Sequence, residues 1–462
     1  MSDRQIIVRR RTPRTEGEGL DSRATALDIL RRVEEHGAFA DLLLGERLPA
    51  FAPNDRRLIT RLVLGTIAWR GRLDYELAQF TGRPLDGIQP AALAIMRLGL
   101  FQLRFLDRVP QHAIVDTAVS LAKRTGDARL AAGFINAVMR RATRETVPLP
   151  PREKNEVHHL TVKLSHPRWM VERFIAWFGV EAAERLMAAN NEAAPNAIRL
   201  NLARGTREDI IARLRAEEFE IGDGGRAPET AILESAARFD SAAYRDGIFH
   251  PQSEASQLVV RMLAPSRGAI VADCAAAPGG KSTHLTELVG SNGRVIALDL
   301  NLRGLQNARG LAQRLGHRNL DFVRADMSKA APLRAASLTH VLLDAPCTGF
   351  GTLREHPEIR WRLSPDDPAR MAALQLRMLS NAAGLVRPSG AIVYSVCSLA
   401  PEEGEGVVNA FLSRHPEFEI DRKPPNIGET KDLLDESGTM KTRPDLGGLD
   451  GFYAARLVRR AA

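Results

Sequence analysis

Residues 269–281 read AIVADCAAAPGGK and decide the fold of the second half of the chain. A short apolar run reaches Asp273, small residues and a glycine pair follow, and a helical stretch opens at Lys281. Small residues let the backbone approach a ligand closely, and the free N–H groups at a helix start face that ligand. The stretch therefore predicts a strand, a tight turn and a helix that together hold a nucleotide-type cofactor.

The sequence beyond this turn alternates between short apolar runs and helical patterns. The runs that indicate buried strands cover residues 269–272, 295–298, 320–323, 341–343 and 391–394. Helical stretches separate them, for example residues 302–315 and 369–385. This alternation predicts a C-terminal α/β domain with a parallel sheet, whose ligands bind at the carboxyl ends of the strands.

Acidic residues occur at four successive predicted strand ends. Asp273 ends the first strand, Asp299 the second and Asp344 the fourth, while Asp326 comes just after the third. A single Asp after a strand is usually a helix cap, but the acid that ends the second strand of such a sheet typically binds ribose hydroxyls. Four acids in this pattern favour a nucleoside-type cofactor, with Asp326 placed to meet the adenine.

Two of the three cysteines also follow predicted strands. Cys347 stands three residues after Asp344, and Cys397 follows the run at 391–394, whereas Cys274 has the pattern of a packed or turn residue. A thiolate can add to C6 of a pyrimidine and make C5 nucleophilic enough to accept a methyl group. Asp344 is placed to bond the N3/N4 edge of such a base. The base must leave its stack, which is easiest in single-stranded RNA.

The composition sets limits on the class of protein. The chain has 462 residues and a net charge of +8, so several domains and a polyanionic partner are expected. No apolar run is long enough to span a bilayer, and no secretory segment is recognisable. Three cysteines without a Cys-x-x-Cys pair argue against a disulfide framework and a structural zinc site. The sequence thus predicts a cytoplasmic protein with no membrane partner and no metal.

The first half of the chain predicts two further modules. Residues 1–20 form an arginine-rich tail that we expect to be disordered, and helical periodicity fills residues 21–147. A proline-rich linker precedes a small α+β module at 152–245, and the catalytic domain occupies 246–462. Nothing in the sequence demands more than a monomer.

Residues 268–400 resemble the Sun/Nop family of RNA cytosine-5 methyltransferases, which use S-adenosyl-L-methionine. The resemblance rests on the turn at 275–281, on Asp299 and Asp326, and on the motifs DAPC at 344–347 and YSVCS at 394–398. The segments REHPEIRW at 354–361 and FINAVMR at 134–140 resemble the bacterial branch that acts on 16S ribosomal RNA. This resemblance implies an all-α NusB-like N-terminal domain, a small α+β middle module and a Rossmann-like class I methyltransferase domain.

The resemblance also implies a role for each residue of the site. Cys397 would be the nucleophile, and Cys347 the second thiol that releases the methylated product. Asp299 would hold the ribose, Asp326 the adenine, and Asp344 would lie between cofactor and base. The methionine end of the cofactor would be held by Ala275, Ala276, Ala277, Pro278, Gly279, Gly280 and Lys281.

The chain departs from the family pattern at three positions. Ala275 stands where the turn usually carries a cysteine, and Val396 replaces the threonine that usually precedes the nucleophile. Ser253 replaces an acid that often precedes the catalytic core. The first change leaves backbone contacts intact, whereas Val396 removes a hydroxyl beside the thiol.

Several alternatives stay open on the sequence alone. The same chemistry could act on tRNA or 23S ribosomal RNA, or the chain could be a non-catalytic RNA-binding assembly factor. Cys347 could instead be the nucleophile, as in DNA cytosine methyltransferases, where the cysteine of a Pro-Cys motif attacks. Arg354, Arg360 or Trp361 could contact RNA, or their segment could be a structural loop packed by Trp361.

Overall fold

The protein is described by a computed structural model covering residues 16–222, 224–234, 238–425 and 428–461. The predicted tail lies outside these residues up to position 15. Backbone contacts divide the chain into two compact units, which are residues 16–187 with 356–361, and residues 188–355 with 362–461. Helices α8 to α10, which the sequence placed in the middle module, thus fall largely within the first unit.

The first unit is helical. Its helices are α1 (Glu16–His36), α2 (Ala40–Arg47), α3 (Pro53–Ala68), α4 (Arg70–Thr81), α5 (Pro90–Phe105), α6 (Gln111–Arg124), α7 (Ala132–Arg144), α8 (Glu156–Leu164), α9 (Arg168–Phe178) and α10 (Val180–Ala189). Proline at the first position starts α3 and α5, where its missing N–H costs no hydrogen bond. The core is built around α5, which is buried on nearly every side, as are helices at the centre of a bundle.

The segment at 356–361 packs into this helical unit. The Arg360 side chain is fully buried and donates hydrogen bonds to the carbonyls of Ala68 (3.3 Å) and Ser165 (3.2 Å). Trp361 Nε1 donates to the carbonyl of Ile67 at 2.7 Å. A buried guanidinium cannot reach RNA phosphates, so the interpretation of a structural loop is correct for Arg360.

The second unit begins with a small antiparallel sheet. Its strands are β1 (Asn196–Leu200), β2 (Ile221–Gly222), β3 (Thr230–Leu233) and β4 (Phe249–Pro251), in the order β2-β3-β1-β4. The helices α11 (Arg207–Ala216) and α12 (Ala242–Arg245) accompany this sheet. Ile198 and Leu200 on β1 pack against Ile210 and Leu214 of α11, which closes a small core of its own.

A larger sheet forms the rest of the second unit, with strand order β10-β12-β9-β8-β5-β6-β7 and β11 beside β12. Its strands are β5 (Ile270–Asp273), β6 (Arg294–Asp299), β7 (Leu320–Arg324), β8 (Leu338–Asp344), β9 (Val386–Val396), β10 (Phe418–Ile420), β11 (Met440–Thr442) and β12 (Phe452–Arg459). Strands β5 to β9 pair in parallel, and β12 pairs antiparallel with β9. Its helices are α13 (Glu254–Leu263), α14 (Gly280–Val289), α15 (Leu302–Leu315), α17 (Asp367–Ala383) and α18 (Glu405–Arg414), whereas the short helix α16 (Ile359–Arg362) lies almost wholly in the segment at 356–361.

Helices cover both faces of this sheet. Along β8, Leu342 belongs to the core cluster with Leu285 of α14, whereas Val341 and Leu343 belong to the cluster with Leu379 of α17. This alternation follows because successive side chains of a strand point to opposite faces. The predicted fold class, with its helical, small α+β and α/β parts, is confirmed. Within the described residues, no helix combines the length and apolar character that crossing a bilayer requires.

Candidate active site

The two thiols predicted to react lie together at the carboxyl edge of the large sheet. Cys347 follows β8 and Cys397 follows β9, and the two strands are paired through Asp344 and Ser395. Their sulfur atoms are 3.1 Å apart, and both cysteines are free thiols. The hydrogen bond with Cys397, together with burial and nearby carboxylates, holds the pKa of Cys347 well above its ordinary value. Cys347 therefore stays a thiol that can donate to the sulfur of Cys397.

Asp344 is held by two partners beside these thiols. Its Oδ2 lies 2.6 Å from Lys281 Nζ, and its Oδ1 accepts a hydrogen bond from Ser395 Oγ at 2.7 Å. Burial lowers the pKa of Lys281, but the Asp344 carboxylate outweighs burial, and the pKa is raised overall. Lys281 is thus a fixed ammonium whose charge also acts on Cys397. The sequence assigned Lys281 to the cofactor turn and did not anticipate its pairing with Asp344.

The glycine turn is closely packed between β5 and α14. Gly279 has a φ of +108°, and a Cβ there would lie 2.6 Å from the Cβ of Ala308. Asp273 Oδ2 accepts a hydrogen bond from Ser282 Oγ at 2.6 Å, while its buried Oδ1 has no partner among the described residues. Burial raises the pKa of Asp273 to about 6. This turn has room only for glycine at position 279.

The acids predicted to bind the nucleoside have different surroundings. Asp299 Oδ2 accepts from the N–H of Ala277 at 2.9 Å, so the acid at the end of β6 also shapes the glycine turn. Asp326 Oδ1 accepts from the N–H and the hydroxyl of Ser328 at 3.0 and 2.6 Å. These hydrogen bonds lower the pKa of Asp326 and keep it ionised. Each carboxylate retains lone pairs for a ligand, because one oxygen can accept two hydrogen bonds.

A buried arginine of the small sheet holds the same turn, and sequence reasoning missed it. Arg199 on β1 is 1% exposed, and its guanidinium donates to the carbonyl of Gly280 at 2.6 Å. It also donates to Gln252 Oε1, to Thr283 Oγ1 at 3.0 Å and to Glu287 Oε1 at 3.0 Å. The sequence did contain a signal for this role. Arg199 lies within the apolar alternation of residues 198–202, and an arginine on a core strand must find buried partners.

A buried glutamate supports both thiol loops, and the sequence gave no signal for it. Glu403 Oε1 accepts from the N–H of Thr348 (2.9 Å), and its Oε2 accepts from the hydroxyl of Ser398 (2.5 Å). Thr348 directly follows Cys347, and Ser398 directly follows Cys397. Burial raises the pKa of Glu403, although these hydrogen bonds oppose the rise. Glu403 thus positions the two thiols through their neighbours.

The turn fits the methionine end of S-adenosyl-L-methionine on observations of this chain alone. Position 279 admits no side chain, the first amides of α14 follow it directly, and the buried Oδ1 of Asp273 has no hydrogen-bond partner in the described parts of the chain. Parallel strands in the order β7-β6-β5-β8-β9, with this turn after β5, complete the pattern. The fold and the site define an S-adenosylmethionine-dependent methyltransferase.

Comparisons with known proteins agree with this class. Residues 260–458 match the family model "16S rRNA methyltransferase RsmB/F", residues 20–144 match the NusB family, and residues 166–240 match the ferredoxin-like domain of RsmF/B-like methyltransferases. The chain is 32% identical over 442 residues to the probable ribosomal RNA small subunit methyltransferase B of Bacillus subtilis, covering 95% of this chain and 98% of that one. It is 38% identical over 440 residues to the ribosomal RNA small subunit methyltransferase B of Thermus thermophilus, covering 95% and 97%.

Solved structures lead to the same family. The crystal structure of PH0851 superposes with a TM-score of 0.82 at 27% identity, covering 97% of this chain and 100% of that chain. A methyltransferase homologue from Pyrococcus horikoshii covers 66% of this chain and 99% of its own, with a TM-score of 0.57 and 27% identity. The chain belongs to the ribosomal RNA small subunit methyltransferase B family, whose members use S-adenosyl-L-methionine. The predicted family, NusB-like domain and cofactor are confirmed.

Proposed function

We propose that this protein transfers a methyl group from S-adenosyl-L-methionine to C5 of a cytosine in 16S ribosomal RNA, through a covalent adduct between Cys397 and C6. The observation that carries the proposal is the pair of thiols 3.1 Å apart beside the Lys281–Asp344 ion pair. A methyltransferase that acts on a nucleophilic oxygen or nitrogen needs no thiol, whereas C5 of cytosine reacts only after a nucleophile has added to C6. The names of the relatives support small-subunit ribosomal RNA as the substrate.

Cys397 is the proposed nucleophile. The charge of the Lys281 ammonium acts on Cys397, and the Cys347 thiol can donate a hydrogen bond to its sulfur. Addition of this sulfur to C6 moves the electrons of the C5–C6 double bond towards C5. Asp344 bonds the N3/N4 edge of the base and orients it. The bound cofactor would supply the electrophilic methyl group, held by residues 275–281, by Asp299 at the ribose and by Asp326 at the adenine.

Cys347 is the proposed residue for product release. Once C5 carries the methyl group, a base takes the C5 proton, the electrons of the C5–H bond re-form the C5–C6 double bond, and Cys397 leaves as a thiolate. Cys347 lies 3.1 Å from the sulfur that must leave, so it is placed to assist this step. Glu403 fixes the positions of the two loops that carry the thiols, because it accepts hydrogen bonds from a neighbour of each thiol.

The two cysteine variants test these roles. Cys397→Ala should abolish methyl transfer, whereas Cys347→Ala should accumulate a protein–RNA adduct that survives denaturing electrophoresis. Cys274→Ala is the matched control, since its sulfur is buried and should neither form nor trap an adduct. An abundant adduct with the Cys397 variant and none with the Cys347 variant would reverse the two assignments.

The substrate needs a separate experiment. Deproteinised 16S, 23S and transfer RNAs would be incubated with methyl-labelled S-adenosyl-L-methionine and digested to nucleosides. Label in 5-methylcytidine from 16S RNA alone is the expected result. Label mainly in another RNA would refute the substrate, and label in another nucleoside would refute the C5 chemistry. Light scattering of the purified chain would test the monomer that the sequence predicts.

A further inference from the structure

A cluster of potential metal ligands lies in the helical unit. Asp41 stands in the first turn of α2, and His356 and Glu358 belong to the segment at 356–361. One ring nitrogen and one oxygen from each carboxylate all lie within 4.8 Å of one another. Asp41 is exposed, His356 is half-buried and Glu358 is only 2% exposed.

Glu358 is the unusual member of this cluster. Its Oε1 accepts a hydrogen bond from the N–H of Ala40 at 3.1 Å, which caps the start of α2. Its Oε2 is buried and has no hydrogen-bond partner within the described part of the chain, and the same holds for His356 Nδ1. A buried carboxylate oxygen without a partner is costly, so native structures almost always satisfy one. Capping of α2 accounts for the buried position of Oε1 but not for that of Oε2.

We propose that Asp41, His356 and Glu358 bind a divalent transition metal ion, with Zn²⁺ as the best fit. One imidazole nitrogen and two carboxylate oxygens suit Zn²⁺, which keeps a fourth position for water, whereas Mg²⁺ and Ca²⁺ prefer oxygen ligands alone. The two carboxylates carry a combined charge of −2, which the charge of +2 on the ion would neutralise. The ion would join residues 356–361 to α2, far apart in sequence, and give Glu358 Oε2 its missing partner.

The geometry asks for little adjustment. Bonds of about 2.0–2.2 Å to a tetrahedral ion place the ligand atoms roughly 3.3–3.5 Å apart. The ligand atoms must therefore close by about 1.5 Å at most from their limit of 4.8 Å. Asp41 can supply this movement because its side chain is exposed. The sequence predicted no metal because it considered cysteine spacing, and no local pattern links position 41 to position 356.

The test uses the full chain stripped of metal by a chelator. Titration with Zn²⁺ alone, followed by calorimetry, should show one site, and Asp41→Asn should weaken it by at least about tenfold. Asp116→Asn is the matched control, because Asp116 is an exposed acid on another helix, α6, of the same unit. Zn²⁺ should also raise the melting temperature of the wild type and the control, but not of Asp41→Asn.

Titration with Co²⁺ separates this site from the two active-site thiols. Bound Co²⁺ should show visible d–d bands without the near-ultraviolet charge-transfer band of a thiolate ligand, and Asp41→Asn should lose them. Absence of Zn²⁺ binding, equal binding by both Asp variants, or a thiolate band that persists in Asp41→Asn would each overturn the proposal.

Discussion

Replacing Arg199 by methionine should destabilise the second unit by roughly 3 kcal/mol. The guanidinium is fully buried, and its removal takes one of two side-chain donors from the Gly280 carbonyl and leaves the Glu287 carboxylate without its main cation. Breaking a buried pair by removing one partner costs roughly 3–5 kcal/mol, because the remaining charge is left uncompensated. The lower end applies here, since His317 Nε2 remains 3.3 Å from Glu287 Oε1.

The choice of probe follows from where the tryptophans lie. All four belong to the first unit, at Trp69, Trp169, Trp177 and Trp361, so tryptophan fluorescence does not report on Arg199 directly. Hydrogen exchange measured by mass spectrometry on peptides that cover residues 196–200 and 280–289 gives the local free energy of opening. Arg215→Met is the control, because Arg215 is exposed on α11 of the same small module.

The structure also predicts how the loss of stability in Arg199→Met changes with pH. Burial would raise the pKa of Glu287, but Arg199 together with His317 and His284 outweighs burial, and the pKa lies below its ordinary value of 4.5. A carboxylate with a depressed pKa contributes stability that is present above the ordinary pKa and lost as pH falls through the folded value. Without Arg199 the Glu287 carboxyl accepts a proton more readily. The loss of stability should thus be largest near neutral pH and shrink in acid.

A double variant separates the ion pair from general packing. In Arg199→Met with Glu287→Gln, the uncompensated charge is gone, so the combined loss should be clearly smaller than the sum of the single losses. Calorimetry should also show weaker binding of S-adenosyl-L-methionine by Arg199→Met, because Gly280 lies in the cofactor turn. A loss below about 1 kcal/mol, or strictly additive losses, would refute the reasoning.

Three further substitutions test the turn and the core beneath the thiols. Gly279→Ala should weaken S-adenosyl-L-methionine binding in calorimetry and lower stability by roughly 2–3 kcal/mol, because its φ is +108° and Ala308 lies in the way. Asp273 has its pKa raised from 3.8 to about 6, so the folded state binds its proton more tightly and stability falls as pH rises through that window. This fall amounts to about 3 kcal/mol in the free energy of unfolding, and Asp273→Asn should abolish it. Urea unfolding at a series of pH values measures the effect. Tyr394→Phe should cost roughly 1–2 kcal/mol in urea unfolding, because the buried hydroxyl loses its bond to the Glu403 carbonyl at 2.5 Å.

Much of the fold could be predicted because its signals are local. The apolar runs at 269–272 and 295–298 became β5 and β6 with bounds within a residue or so, since a buried parallel strand needs a continuous apolar stretch. The antiparallel strands β10 and β11 were not anticipated, because three-residue strands carry too little pattern. Helix α1 begins at Glu16, five residues before the predicted start at Asp21, although residues 16–20 read EGEGL and include two glycines.

The position of the thiols could be anticipated for a different reason. Parallel strands end at one edge of a sheet, so residues that follow adjacent strands must lie near each other. That rule brings Cys347 and Cys397 to the same edge, and the structure adds the distance of 3.1 Å and the supporting Glu403. The catalytic roles of these residues stay predictions until the variants are measured.

The sequence by itself determined most of the elements, the glycine turn and the candidate residues for the chemistry, because periodicity, small residues and strand-end acids act over a few neighbouring positions. Only the tertiary structure decided which charged side chains pair with one another. Arg199 meets Glu287, and Lys281 meets Asp344, across long separations in the chain. Such pairs form because a buried charge must find a partner wherever packing places it, and no local pattern records that choice.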